Sequence, residues 1–168
     1  MAYRNKTYVC FDADEDIRYY NLMKAWKAND NIDFDFHNAH ELNNLRDSSN
    51  EETIKRRLKE RLYNTKLMIV LVGEKTKNLY KFVRWEMEVA LKLEIPIIAV
   101  NIKSDAPRIY ENYPPILREE LVLNINFNKT LIQYSIDNWI DEHNRLFKEG
   151  TINNRVWKDH IYKKLGLN

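Results

Sequence analysis

Glycine is scarce in this chain: only Gly73, Gly150 and Gly166 occur. No G-x-G-x-x-G turn and no Walker A loop can be written with them, so any nucleotide must be held without a glycine-rich phosphate cradle. Cysteine is scarcer still. Cys10 stands alone in an apolar segment, which excludes an internal disulfide framework and a cysteine-based metal site. No apolar run approaches a membrane span. The opening stretch Met1 to Thr7 is polar and the first apolar segment is too short for a signal peptide, so the expectation is a soluble, cytoplasmic protein with no membrane partner. Neither sign of charge dominates, since 27 basic residues face 25 acidic ones for a net +2. That balance neither demands a polyanionic partner nor forbids one, and nucleic acid is not expected. Repeats and low-complexity tracts are also missing. The 168 residues suit one domain with a real core, read here as a core over about 6–128 followed by a C-terminal helical extension, 129–168.

What the chain does have is a pattern centred on Leu67 to Asn101. Leu67-Met68-Ile69-Val70-Leu71-Val72 is an unbroken apolar run that stops at Gly73. A polar loop follows, then an amphipathic segment from Phe82 to Glu94, then Pro96 and a second apolar run, Ile97 to Val100. The order is strand, loop, helix, strand, and the uninterrupted apolar runs suit a parallel sheet covered on both faces.

Elsewhere the pattern repeats. Thr7 to Phe11 reads as the first strand, ending in the acidic turn Asp12-Ala13-Asp14-Glu15-Asp16, where negative charge favours a helix start. That helix runs to about Ala28, with Tyr19, Tyr20, Met23 and Trp26 inward. Ile32 to Phe36 alternates as an edge strand would. Ser49 and Glu52 form a capping box before a helix with Ile54, Leu58 and Leu62 on one stripe and a basic, solvated face from Lys55 to Arg61. Lys103 to Pro115 is a long loop, with Arg108, Tyr110 and Tyr113 as contacts for a nucleotide or partner. A short helix at Ile116 to Glu120 precedes a fifth strand, Leu121 to Ile125. A long helix from Leu131 to Lys148 then turns Ile132, Ile136, Trp139, Ile140, His143 and Phe147 inward. A last amphipathic helix carries Val156, Trp157, His160, Ile161 and Leu165. The class is α/β: a flavodoxin-like five-stranded parallel sheet, order 2-1-3-4-5, flanked by helices and with extra C-terminal helices. Ligands of such sheets bind at the strands' carboxyl ends where the order reverses, between strands one and three.

One residue breaks the pattern of the central helix. Residues advance roughly 100° each around the axis, so Val83, Met87, Ala90 and Leu91 share an arc and Leu93 extends it. Glu86 falls inside that arc, with Phe82 one turn earlier on the same flank, whereas Glu88 and Lys92 fall opposite, toward solvent. The pattern leaves two roles open for Glu86: a structural carboxylate paired with Arg84 or Lys81, or a functional one able to grip ribose hydroxyls and stabilise positive charge at a sugar C1. A receiver-type phosphoacceptor is disfavoured, because strand three ends in Gly73-Glu74-Lys75-Thr76 without an aspartate. His37 and His40 with Glu41 lack a third metal-ligand pattern, and no metal is expected. His143 and His160 read as packed side chains.

Three features together resemble the TIR-like proteins of bacterial Thoeris anti-phage defence, a divergent branch of the TIR domain family. They are Val9-Cys10-Phe11 closing strand one, Met68 to Gly73 followed by Glu74-Lys75-Thr76, and Phe82-Val83-Arg84-Trp85-Glu86-Met87 leading to Ile95-Pro96-Ile97-Ile98-Ala99-Val100. The match runs from about Lys6 to Lys103. Enzymatic members carry an aromatic-Val-x-x-Glu motif in this helix, and Glu86 matches the catalytic glutamate. Where the family usually has tryptophan this chain has Phe82, which keeps the stacking face and loses the indole N–H. Trp85, next to the glutamate, faces away from it by helical phase.

The resemblance implies cleavage of the nicotinamide–ribose bond of NAD⁺, taken as substrate and not as cofactor. It implies Glu86 as the catalytic carboxylate and Phe82 as a stacking platform. Phe11, Asp12 and Ala13 would line the other side of the pocket, and Lys75 and Thr76 would serve the diphosphate. The product would be a cyclic or conjugated ADP-ribose signal reaching a separate effector by diffusion, with TIR–TIR self-association a further possibility. The competing expectation is a non-catalytic adaptor that works through its surfaces.

Overall fold

Leu67–Val72 forms the central strand, β3, and every one of its six residues is buried. A strand apolar on both faces can persist only between two layers, and both layers are present. The structure is a computed structural model that describes residues 6–30, 35–38, 50–76, 82–102 and 112–167. Its strands are β1 (Lys6–Cys10), β2 (Asp35–Asn38), β3, β4 (Ile97–Asn101) and β5 (Val122–Asn126). All pair in parallel in the order β2-β1-β3-β4-β5. The register runs Cys10 to Val70, Val70 to Ala99 and Ala99 to Asn124. The order reverses beside β1, as expected for a doubly wound sheet.

Strand parity divides the core. Tyr8 and Cys10 of β1 and Met68, Val70 and Val72 of β3 pack against α2 (Glu51–Leu62) and α3 (Phe82–Lys92). Val9, Phe11, Ile69 and Leu71 face the other way, onto α1 (Ile17–Asp30) and α4 (Lys129–Lys148). Ile54, Leu58 and Leu62 are the buried stripe of α2, each such side chain stabilising the fold by about 1.5–3 kcal/mol. Glu88 of α3 does not simply face water. Lys55 of α2 reaches it at 2.9 Å, so the two helices are bridged by charge above their apolar contact.

Several local expectations are corrected. The cap of α2 is Asn50, whose Oδ1 accepts from the N–H of Thr53 at 2.9 Å, while Ser49 lies outside the described residues. So do Ile32 to Phe34, His40, Arg108 and Tyr110. Tyr113 is fully buried in the α3 layer. The segment before β5 is a single 3-10 turn, Pro115–Leu117. Val156 and Trp157 are not helical, because the last helix, α5, covers only Asp159–Lys164. The chain ahead of it runs along the outer edge of β5: the N–H of Arg155 donates to Val122 O and its carbonyl accepts from Asn124 N, both at 2.8 Å. Asn154 fastens this return by donating to the carbonyls of Leu117, Arg118 and Glu120. The outer edge of β5 is thereby paired over Val122 to Asn124. Phe147 and His160, expected inward, are exposed. His143 and Trp139 are buried as expected. No helix among the described residues is long and apolar enough to cross a membrane.

Candidate functional site

The loops that follow β1 and β3 emerge side by side where the strand order reverses, and side chains pin them together. A Cβ placed on Gly73 would stand 2.3 Å from Oδ2 of Asp16, so the first loop's buried carboxylate occupies the space that only glycine leaves open in the second. Gly73 N–H donates to Oγ1 of Thr76 at 2.9 Å, and that hydroxyl in turn donates to Leu71 O at 3.3 Å. Outside, Lys75 Nζ meets Glu15 Oε1 at 2.8 Å. Within the first loop, Asp12 Oδ1 accepts from Asp14 N–H at 3.0 Å, a local turn that competes with helix and delays its start. Helix α1 accordingly begins at Ile17.

Beneath these loops α3 packs across the sheet. Its buried residues are Phe82, Val83, Glu86, Met87, Val89 and Ala90, the spacing of a helix with one face inward. Glu86 is 1 % exposed. Its carboxylate meets the face of β1 that presents Tyr8 and Cys10. Both side chains are fully buried, and both have pKa values pushed well up, first by burial and then by the charge of Glu86. The Cys10 thiol also donates a weak hydrogen bond to Val83 O at 3.8 Å, tying the strand to α3 one turn before Glu86. The result is a carboxylate held with a phenol and a thiol in an otherwise apolar layer, where electrostatic interactions act with little screening.

The residues expected to share a pocket are distributed over both layers. Glu86 and Phe82 lie together on the α3 side. Phe11 and Ala13 belong to the opposite layer, where the Phe11 ring stacks on Tyr20 with centroids 4.8 Å apart and planes at 16°. Asp12 and Thr76 are buried and turned into their own loops, and Lys75 is on the surface beside Glu15. Trp85 packs at the margin of the α3 layer. Tyr8 and Cys10 were not singled out from sequence, although period-two parity puts them on one face of β1. Recognising them required knowing that α3 covers that face.

The family model of the Thoeris protein ThsB, TIR-like domain, matches residues 8–107. That span exceeds half of the chain and contains the end of β1, the reversal point, α3 and β4. The chain belongs to this TIR-like family. Its role is therefore a defence-related one of the TIR class. The matched region of this TIR-like chain ends before β5, α4 and α5, so the edge-covering return and the α4 layer lie outside it. Among the described residues no group of three or more His, Cys, Asp or Glu side chains could hold a metal ion.

Proposed function

We propose that this TIR-like protein cleaves NAD⁺ at the bond between nicotinamide and ribose, with Glu86 as the catalytic carboxylate. The observation that carries the reading is the burial of one acidic side chain in the apolar face of α3, close to the reversal point of the sheet. Burying a carboxylate costs several kcal/mol unless it is paired and hydrogen-bonded, hydrophobic residues fill the positions around it, and polar groups kept against such a cost are characteristic of functional sites.

The chemistry suits such a group. Nicotinamide leaves with the electron pair of the C1′–N bond and departs as a neutral base, so no strong general acid is required. The ribose is left as an oxocarbenium cation. A fixed carboxylate stabilises that charge more than it stabilises the ground state, which is the condition for catalysis. Water or a nucleophilic atom of a purine or another acceptor then closes onto C1′, giving ADP-ribose or a cyclic or conjugated form of it. Phe82 stands one helical turn, about 6 Å, nearer the loops than Glu86, in position to meet a ring. Lys75, at the surface beside Glu15, is the cation of this reading for a diphosphate. In this reading the product is a diffusible signal for a separate effector.

Nicotinamide release from NAD⁺ by the purified protein tests this, with Glu86→Gln in parallel and with lysate of phage-infected cells added or withheld. The variant should lose about 10²–10³-fold in turnover while retaining its fold. Absence of release by folded wild-type protein in both conditions would overturn the proposal and leave a non-catalytic interaction module.

A further inference from the structure

A cleft lies behind β5, between α4 and the returning segment 155–161. Its volume is about 410 Å³, inside the roughly 300–1,000 Å³ typical of small-ligand sites, and it shares no lining residue with the Glu86 layer. Two tryptophans lie in its wall: Trp139, 1 % exposed, and the half-buried Trp157, with ring centroids 6.1 Å apart and planes at 88°. The indole N–H of Trp157 donates to Ser135 Oγ at 2.8 Å. That of Trp139 is buried and has no hydrogen-bond partner among the described residues.

Three cations, Arg145, Arg155 and Lys158, line the same cleft, and Glu142 is the one acidic residue of the lining. Arg145 is engaged by Glu142 at 2.6 Å and by Glu149 at 2.9 Å. Arg155 and Lys158 are exposed. Arg155 starts from a backbone fixed to β5 by two hydrogen bonds, so its guanidinium is delivered to the cleft from an anchored point. The carboxyl of Glu142 is held below its usual range, first by its hydrogen bond with Arg145 and further by the charges of Arg145, Arg155 and Lys158, with burial opposing. The three cations therefore converge on one place and exceed the negative charge there.

We propose that this cleft binds a nucleoside phosphate, with the phosphate on Arg155 and Lys158 and the base against Trp157. An apolar ligand would leave the cations unanswered, and a bare anion would make no use of the tryptophans. A flat base joined to a phosphate satisfies both. The site is independent of the Glu86 reading.

Titration of the full chain with AMP tests it, followed by tryptophan fluorescence and by the indole N–H resonances of Trp139 and Trp157. Inorganic phosphate and adenosine are titrated separately. AMP should saturate, shift both indole signals and bind at least about ten-fold more tightly than either fragment. Arg155→Ala with Lys158→Ala should weaken AMP about ten-fold or more, and Glu86→Gln should bind as wild type does. Should the double variant unfold, Lys158→Ala alone, at an exposed side chain, must still weaken AMP about three-fold. The proposal is overturned by failure to saturate at millimolar AMP, by phosphate binding as tightly as AMP, by variants without effect, or by loss of binding in Glu86→Gln.

Discussion

The contact between Tyr8 and Glu86 joins a strand to a helix through two groups that would each be costly to bury alone. The charge of Glu86 acts on the buried Tyr8 hydroxyl, so their contributions to stability should not add. A double-mutant cycle with Tyr8→Phe and Glu86→Gln, followed by urea unfolding, should give a coupling of about 0.5–3 kcal/mol. Strict additivity would mean that the phenol and the carboxylate do not interact. Gly73 makes a separate argument at this scale. Its missing side chain is the space in which the Asp16 carboxylate sits, and Asp16, 3 % exposed, is buried. Gly73→Ala should therefore destabilise the protein by about 1–3 kcal/mol through overpacking and spread the two loops at the reversal point. An unchanged urea midpoint would show that Asp16 moves aside at little cost.

Among the elements, α4 carries a titratable group inside its apolar face. His143 is 5 % exposed and packs between the rings of Trp139 and Phe147, at centroid distances of 5.8 and 5.6 Å. Burial lowers its pKa, and its hydrogen bond with Asn144 and the charge of Glu94 only partly oppose this. The folded protein thus favours the neutral imidazole. The unfolded chain, with the ordinary value near ~6.5, takes up the proton first as pH falls. The resulting stability is complete above the unfolded value and is lost as pH falls through the lower folded value. Melting temperature should decline on acidification below about pH 6.5 and decline less steeply in His143→Gln. Equal slopes for the two proteins would assign the decline to other groups. The inward face of α4, Phe147 apart, was readable from its spacing, as were β3, α3 and β4, because each reports its own periodicity. The stretch before α5 was not. Val156 and Trp157 continue the helical intervals of His160 and Ile161 backwards, yet the chain just ahead of them is tied through Arg155 to the edge of β5, a demand made by a distant strand and invisible in local pattern. The site divides the same way. Glu86 was legible because a charge interrupts an apolar arc, whereas Tyr8 and Cys10 look like ordinary strand residues until the face that α3 covers is known. The separation of Phe11 from Phe82 by the sheet was likewise a matter of strand parity combined with helix placement.

At the scale of the whole molecule, the sheet separates two layers. The layer under α1 and α4 buries polar groups as well, with Ser135 bonded to the Trp157 indole and His143 favoured in its neutral form. The layer under α2 and α3 holds an ionisable side chain among Val83, Met87, Ala90 and Val70. If that carboxylate is kept for chemistry, the fold is less stable than its apolar surroundings would allow, as is common where function and stability compete. Glu86→Leu, of similar size and without charge, should then raise the unfolding free energy by about 1–3 kcal/mol while abolishing nicotinamide release. Adding Tyr8→Phe should increase the gain, since it removes a buried hydroxyl that has no hydrogen-bond partner among the described residues. Urea unfolding and the nicotinamide assay on the same preparations decide the matter. A Glu86→Leu protein that is both inactive and less stable would show that the carboxylate holds α3 to β1 as a structural group, and its loss of activity would then say nothing about catalysis.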